Sequence, residues 1–309
     1  MKALLGLSAL ASTASATGIL IPLYVYPSAV FNDGAANWQP VRDAIQAHPD
    51  VPWQVVINPD SGPGGTRQPG NGDTNYISGV SQFNALSTTG FPVTTVGYVH
   101  ISNGNANESE VEANITTWRD WSTHTPENAS VQGIFFDEAI EAPGAEAGAN
   151  FDYLNRVISF ARSAFSSPIS VICNFGTKPA DSYYSICDIV IAFESCFANN
   201  AGDGCAAVGV PEYLNQTTID QYVPSPANRP QAAVLVHDYN GTNQEGDTAN
   251  LATLASDVQT LKANNVGWLY FVTGGFDNIT LPPANVTNLA DLVANAEGRL
   301  KCRNAMQRD

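Results

Sequence analysis

Residues 133–138 have the sequence GIFFDE, an apolar run that ends in two adjacent acids. Seven further runs rich in Val, Ile, Phe and Tyr are spaced along the chain, and stretches of helical length and periodicity separate them. This alternation is typical of βα units built around a parallel sheet. The eight predicted strands cover residues 18–25, 53–58, 93–99, 131–136, 169–174, 189–193, 232–236 and 267–272.

Most of these runs are apolar throughout, as expected of strands that are covered on both faces. The predicted helices cover residues 38–47, 75–87, 109–122, 151–165, 249–263 and 286–300, whereas the connection at 213–222 is less regular and the fifth connection is short. Eight strands with crossovers predict a single (β/α)8 barrel domain over residues 17–309. A doubly wound open sheet is the alternative fold, but neither G-x-G-x-x-G nor a P-loop follows the first strand.

The first sixteen residues have the pattern of a secretory signal peptide. Lys2 gives a basic start, residues 3–11 are apolar, and Ala14-Ser15-Ala16 forms a small-residue cleavage site. We therefore expect a mature chain that starts at Thr17 and is secreted, extracellular or associated with a cell wall. No later stretch reaches about 18 uninterrupted apolar residues, so the sequence predicts no membrane span.

Sequons and cysteines agree with export. Cys196 and Cys205 flank a loop rich in Gly and Asn, and we expect these two of the five cysteines to form a disulfide. Seven Asn-x-Ser/Thr sequons are candidate glycosylation sites: Asn107, Asn114, Asn128, Asn215, Asn240, Asn278 and Asn285.

Composition limits the classes of partner. The 309 residues are 44% hydrophobic and 14% charged, which is typical of a globular protein and not of a disordered or fibrous one. The formal net charge of −16 repels phosphate backbones, so nucleic acid is a poor partner. Cysteine spacing matches no zinc pattern and the four histidines are scattered, so no metal or other cofactor is predicted.

Acids end two of the predicted strands. Asp137 and Glu138 follow the fourth apolar run, and Glu194 follows the sixth. In a barrel, functional groups gather at the carboxyl ends of the strands, where desolvation and mutual repulsion separate carboxyl pKa values. Such a pair suits glycoside hydrolysis, which needs one carboxylic acid and one carboxylate. The structural alternative is that Asp137 caps the next connection and Glu194 pairs with Arg or Lys.

Other strand ends carry groups that suit a sugar site, because aromatic rings can stack on sugars while Asn and His can hydrogen-bond hydroxyls. Each of these residues taken alone is also an ordinary packing or loop residue. No G-x-S-x-G elbow supports a catalytic serine. The candidate substrate-binding residues are Tyr24, Asn58, Tyr98, His100, Asn174 and His237.

Four ordered segments carry a family resemblance: GILIPLYVYP at 18–27, WQVVINP at 53–59, GYV at 97–99 and GIFFDE at 133–138. They resemble the spherulin-4 family of fungi and slime moulds, which overlaps glycoside hydrolase family 135. The resemblance implies a (β/α)8 barrel and endo-acting cleavage of α-1,4-linked N-acetylgalactosamine in galactosaminogalactan, a fungal exopolysaccharide. It maps the family's carboxylates onto Asp137, Glu138 and Glu194, and the loop 196–205 departs from the family pattern.

The leading hypothesis is a secreted glycoside hydrolase that cuts inside a polysaccharide rich in amino sugars. Asp137 is assigned as nucleophile and Glu194 as acid/base of a retaining mechanism, while Glu138 holds or tunes one of them, or exchanges roles with Asp137. The rival is a non-catalytic glycan-binding protein of the cell surface or wall. A structural coat protein would need a self-association surface that the sequence does not reveal, and we expect a monomer.

Overall fold

The chain folds into a closed barrel of eight parallel strands in sequential order, so the predicted (β/α)8 fold is confirmed. The computed structural model describes residues 16–142, 144–199, 205, 210–275, 283 and 285–295. Pairing of Gly18 with Trp268 joins the last strand to the first and closes the barrel. The strands are β1 (Gly18–Leu23), β2 (Trp53–Ile57), β3 (Val93–His100), β4 (Gly133–Asp137), β5 (Ser170–Asn174), β6 (Ile189–Cys196), β7 (Ala232–His237) and β8 (Trp268–Phe271).

Helices follow most strands and cover the barrel. The fifth connection holds only the 3-10 turn Asp181–Ser185, because it is too short for a longer helix, and the irregular sixth connection forms α5. The predicted end of the last helix, beyond residue 295, lies outside the described residues. The helices are α1 (Gln39–Ala47), α2 (Thr74–Thr88), α3 (Glu108–Asp120), α4 (Phe151–Ala164), α5 (Asn215–Tyr222), α6 (Leu251–Ala263) and α7 (Val286–Ala294).

Polar caps determine where some helices begin. The Asp73 carboxylate accepts the Asn75 backbone N–H at 2.8 Å at the start of α2. At α6, the Asn250 side chain accepts two backbone N–H groups, those of Ala252 and Thr253. These contacts satisfy donors that have no partner within the helix, so both helices start at a fixed point just after their loops.

Helix α3 packs tightly against β3. The Trp118 ring lies so close to Gly97 that a side chain at Gly97 would collide with it. Trp118 Nε1 donates to the Tyr98 carbonyl oxygen at 2.7 Å, and both Trp118 and Tyr98 are buried. This contact fixes the position of Tyr98 near the carboxyl end of its strand.

Two disulfides lie on the barrel. Cys196 pairs with Cys205, which confirms the predicted bridge. The second bridge joins Cys173 of β5 to Cys187, just before β6. Cys302 lies outside the described residues.

Residues 1–15 of the predicted signal peptide lie outside the described residues. The sequon asparagine Asn278 also lies outside them. No helix in the described part of the chain is long and apolar enough to cross a membrane. Asn114 is partly buried, and the exposed sequon asparagines are Asn107, Asn128, Asn240 and Asn285.

Asn215 differs from the other sequon asparagines. Its Nδ2, the atom that would carry a glycan, donates to Asp257 Oδ1 at 3.0 Å, and its Oδ1 is buried. A glycan on Nδ2 would have to displace this contact from the protein interior. The geometry therefore argues against modification at Asn215.

Asp257 is a carboxyl group inside the helical layer, with 2% of the residue exposed. Its Oδ2 accepts the Tyr239 hydroxyl at 3.0 Å. Burial raises the pKa of Asp257 to about 7, while the Tyr239 hydrogen bond acts in the opposite direction. Because this pKa lies above the ordinary value of 3.8, the folded protein binds more protons than the unfolded chain between about pH 4 and pH 7.

We expect Asp257→Asn to remove a pH-dependent loss of stability. The stability contributed by protonated Asp257 is complete below about pH 4 and is lost as the pH rises to about 7, since burial opposes ionisation. Urea unfolding should find the variant close to the wild type at pH 4.5 and more stable at pH 8, by on the order of 3 kcal/mol. Asp188→Asn, at an exposed acid paired with Arg162, is the control and should show no such gain. A less stable Asp257→Asn variant at pH 8 would contradict the prediction.

Candidate active site

Asp137 is the last residue of β4 and lies opposite His100 of β3 at the carboxyl end of the barrel. The Tyr98 hydroxyl donates to Asp137 Oδ2 at 2.6 Å, and Asn174 Nδ2 donates to Oδ1 at 2.7 Å. Burial raises the pKa of Asp137, and these two hydrogen bonds oppose the rise because they favour the ionised form. Asp137 is therefore a buried carboxyl whose charged form has two fixed donors.

Glu194 lies within β6 and not after it, because β6 extends to Cys196. The pairing of β6 with β7 shifts between Ile191 and Phe193, which leaves Ala192 as the extra residue of a bulge. A bulge redirects the side chains that follow it, and bulges are common beside active sites. Burial first, and then the negative charge of Asp137, raise the pKa of Glu194 to about 7.

A closed ring of hydrogen bonds holds the Glu194 carboxylate. Asn174 Nδ2 donates to Glu194 Oε2 at 2.7 Å, and the Gly176 backbone N–H donates to Asn174 Oδ1 at 3.0 Å. The ring closes where the Glu194 backbone N–H donates to the Gly176 carbonyl oxygen at 2.9 Å. Gly176 has a φ of 63°, a conformation that favours glycine.

Asn174 also sets the separation of the two carboxylates. Asp137 Oδ1 and Glu194 Oε2 each lie 2.7 Å from the same Asn174 nitrogen, so these oxygens are at most twice that distance apart. Retaining glycosidases have carboxyl groups about 5–5.5 Å apart, and inverting ones about 6.5–9.5 Å. This upper limit lies below the range of inverting enzymes and reaches into the range of retaining ones. Among the described residues, the side-chain partner that the Glu194 carboxylate contacts is Asn174, whereas the alternative expectation is an Arg or Lys.

Two tyrosines border the carboxylates. The Tyr24 ring meets the Tyr98 ring edge to face, with centroids 5.8 Å apart, and Tyr98 stacks on Phe135 at 5.8 Å. Burial raises the pKa of Tyr24, and the negative charge of Asp137 adds to the rise. Burial, and then the charge of Asp137, also raise the pKa of Tyr98, so both phenols stay neutral and the Tyr98 hydroxyl donates to Asp137.

The Glu138 side chain has a different partner from that of Asp137, although the two acids are adjacent in sequence. Its Oε2 lies 2.8 Å from His100 Nε2, with 51% of the Glu138 side chain and 39% of the His100 side chain exposed. Glu138 has a φ of 56°, a strained conformation for this residue type. The structure therefore places Glu138 and His100 together on the exposed rim, beside the hydrogen-bonded centre.

The remaining predicted residues lie at other strand ends. His237 Nδ1 lies 2.6 Å from Asp238 Oδ2. In the pairing of β6 with β7, His237 lies opposite Cys196. Asn58 Oδ1 accepts the Gly62 backbone N–H at 3.0 Å, so this oxygen supports the loop after β2. These two hydrogen bonds join Asn58 and His237 to near neighbours in the chain. The residues that the structure brings into direct contact are Tyr24, Tyr98, Asp137, Asn174 and Glu194.

Gly176 is the residue of this centre that the sequence did not single out. Its signal is the Asn-Phe-Gly segment that begins at the last residue of β5, since glycine after a strand often marks a turn with positive φ. That signal predicts a turn, but not the contact of the turn with Glu194.

The chain is similar to spherulin-4 proteins. The family model Spherulin4, described as spherulation-specific family 4, matches residues 18–293. Spherulin-4 of Physarum polycephalum is 32% identical over 181 residues, which are 59% of this chain and 46% of that protein. The chain thus matches about half the length of this curated relative.

A solved structure is similar over nearly the whole barrel. Aspergillus clavatus Sph3, crystallised in complex with GalNAc, has a TM-score of 0.69 and 25% sequence identity to this chain. The similarity covers 91% of this chain and 98% of that one.

Proposed function

The chain belongs to the Spherulin4 family, and from this premise we propose that it is a secreted glycoside hydrolase that cuts internal α-1,4 bonds of a polysaccharide containing N-acetylgalactosamine. The observation that carries the proposal is the carboxyl pair Asp137 and Glu194, held at short range by one Asn174 nitrogen. Support for the sugar comes from the GalNAc bound to the similar Sph3 structure. The protein works as a monomer and needs no metal or other cofactor.

In the proposed first step, Asp137 attacks the anomeric carbon while Glu194 gives its proton to the departing glycosidic oxygen. Glu194 suits this role because its pKa of about 7 keeps it protonated in a mildly acidic medium. Asp137 suits attack because Tyr98 and Asn174 stabilise its charged form. In the second step, Glu194 takes a proton from water, and the resulting hydroxide releases the sugar from Asp137 with retained configuration.

Glu138 and the sugar-binding residues surround this pair. We propose that Glu138, oriented by His100, tunes the charge of the centre from its rim. Tyr24, with the buried Tyr98 packed against it, gives aromatic surface beside the reacting sugar, and His237 and Asn58 contact more distant hydroxyls. Asn174 is the exception among the predicted sugar-binding residues. Its Nδ2 and Oδ1 are already committed to protein partners, so we propose that it positions the carboxylates instead.

The proposal is tested by incubating the purified protein with galactosaminogalactan, with α-glucan, chitin and galactan as controls. Mass spectrometry of the soluble fraction should find oligomers of amino sugars from the first polymer alone. Binding to the polymer without cleavage would instead support a glycan-binding protein of the cell surface or wall. This rival is favoured by one observation, the exposed Glu138 and His100 pair, which can bind sugar without any chemistry.

We expect Asn174→Ala to lower kcat by about 100-fold, because a misplacement of the carboxylates by about 1 Å costs that much. The Asn174 hydrogen bonds lower the pKa of both Asp137 and Glu194, so their loss should move both limbs of the pH–activity profile to higher pH. The measurement is kcat/KM against pH.

Asn84→Ala is the matched control for this variant. The Asn84 amide also donates two hydrogen bonds, but to the carbonyl oxygens of Asn128 and Ser130, at the opposite end of the barrel from the carboxylates. Both variants should lose stability, and only Asn174→Ala should shift the profile. An unshifted profile in Asn174→Ala would show that Asn174 has a structural role alone.

A further inference from the structure

The turn after β1 displays two apolar side chains to solvent. Val30 and Phe31 are 71% and 68% exposed, although most large apolar side chains of the described chain are buried. The Asp33 backbone N–H donates to the Val30 carbonyl oxygen at 3.0 Å, which closes the turn with Phe31 near its tip. A mostly exposed Phe31 contributes little to the hydrophobic core.

Polar residues make this turn rigid. The Asp33 carboxylate accepts the backbone N–H groups of Ala29 and Val30, both at 2.8 Å, and that of Ala36 at 3.0 Å. Hydrogen bonds from the Val30 and Ala36 N–H groups lower the pKa of Asp33 to about 2, so these contacts persist in acid. The backbone N–H of Asn32 donates to Asn75 Oδ1 of α2 at 2.9 Å. Asn32 has a φ of 61°, a conformation that asparagine tolerates.

The turn lies on the same face of the barrel as the carboxylates, because it follows the carboxyl end of β1. Tyr24, next to that strand end, contacts Tyr98, whose hydroxyl binds Asp137. Phe31 is seven residues further along the chain, so chain reach limits its distance from Tyr24 to at most about 25 Å. A polysaccharide in the carboxylate site can therefore span both places.

We propose that Phe31, with Val30 beside it, is a stacking platform for a sugar unit of the same polysaccharide, several units away from the bond that is cut. This inference rests on the proposed function. A neutral sugar ring fits an exposed aromatic face, since stacking needs no charged partner. A second copy of the chain fits poorly, because two side chains are far less than the roughly 800 Å² per partner of a stable interface. The net charge of −16 disfavours an anionic membrane surface.

The test compares Phe31→Ala and Phe31→Tyr with the wild type on long galactosaminogalactan and on its shortest cleavable oligosaccharide. Leu251→Ala is the matched control, since Leu251 is 57% exposed at the start of α6. Phe31→Ala should raise KM for the polymer about 2- to 13-fold and leave KM for the short oligosaccharide unchanged. Phe31→Tyr keeps an aromatic face and should behave like the wild type.

If Phe31→Ala and the wild type have the same KM for the polymer, Phe31 is not a stacking platform and the inference is wrong. An equal loss on polymer and short oligosaccharide would also overturn it, because the substitution would then act on the cleavage site itself. If the wild type cleaves nothing, the proposed function fails, and affinity electrophoresis in the polymer still tests the platform. Weaker retardation of Phe31→Ala than of Leu251→Ala supports the platform, and equal retardation overturns it.

Discussion

Asp137→Asn should abolish cleavage of the polysaccharide, with kcat lower by on the order of 10⁴ to 10⁶-fold, as for the loss of other enzymatic nucleophiles. The amide has nearly the same shape as the carboxylate, so the contact with Asn174 is the main one to rearrange. It cannot form the covalent sugar ester that the retaining mechanism requires. Initial rates on galactosaminogalactan, together with melting temperatures, measure this loss and separate it from unfolding.

Glu138→Gln is the matched control, because this acid is adjacent in sequence but binds His100 on the rim. Glu138→Gln should lower kcat by at most about fivefold, the scale of one lost exposed charge interaction of up to about 1 kcal/mol. A second check is Asp137→Ala with added azide, which should displace the leaving chain and give a glycosyl azide of inverted configuration. If Glu138→Gln is inactive and Asp137→Asn is active, Glu138 is the nucleophile and the two acids have exchanged roles.

Glu194→Gln should lower kcat/KM by about 10² to 10⁴-fold on the polysaccharide, the usual contribution of a general acid. As the pH rises through about 7, wild-type Glu194 loses the proton that it must donate, so wild-type activity falls there. The variant has no such proton, and its profile should lack this alkaline limb. The measurement is kcat/KM between pH 4 and pH 9.

An activated substrate separates the acid from a residue needed for folding. An aryl glycoside with a nitrophenolate leaving group needs no protonation, so the first step in Glu194→Gln should be close to wild type on it. Asp137→Asn should stay inactive on the same compound. Equal losses on polymer and aryl glycoside would show that Glu194 is not the general acid.

Much of the barrel can be predicted from the sequence because strands covered on both faces leave continuous apolar runs. The eight runs coincide with the eight strands within a few residues. The two acidic strand ends also predict a shared location, since parallel strands bring their carboxyl ends to one face. A shared location of Asp137 and Glu194, which are far apart in the chain, therefore follows from the sequence alone, and one Asn174 nitrogen contacts both.

The details of the centre could not be predicted, since they depend on single residues of the backbone. The predicted sixth strand stops before Glu194, whereas β6 continues to Cys196 after the bulge at Ala192. Adjacent Asp137 and Glu138 look equivalent in sequence, but the positive φ of Glu138 separates their partners. Gly176 has no chemistry of its own and enters the site only through its backbone contacts.

In the proposed mechanism, Asp137 and Glu194 cleave a glycosidic bond in two steps from closely spaced carboxyl groups. Proton NMR of galactosaminogalactan during the first minutes of digestion tests it most directly, because the anomeric signal of the first reducing end shows the configuration before mutarotation. We expect the α-anomer to accumulate first, because a retaining reaction on an α-linkage releases an α-configured reducing end. Initial formation of the β-anomer, or no new reducing end at all, would contradict it.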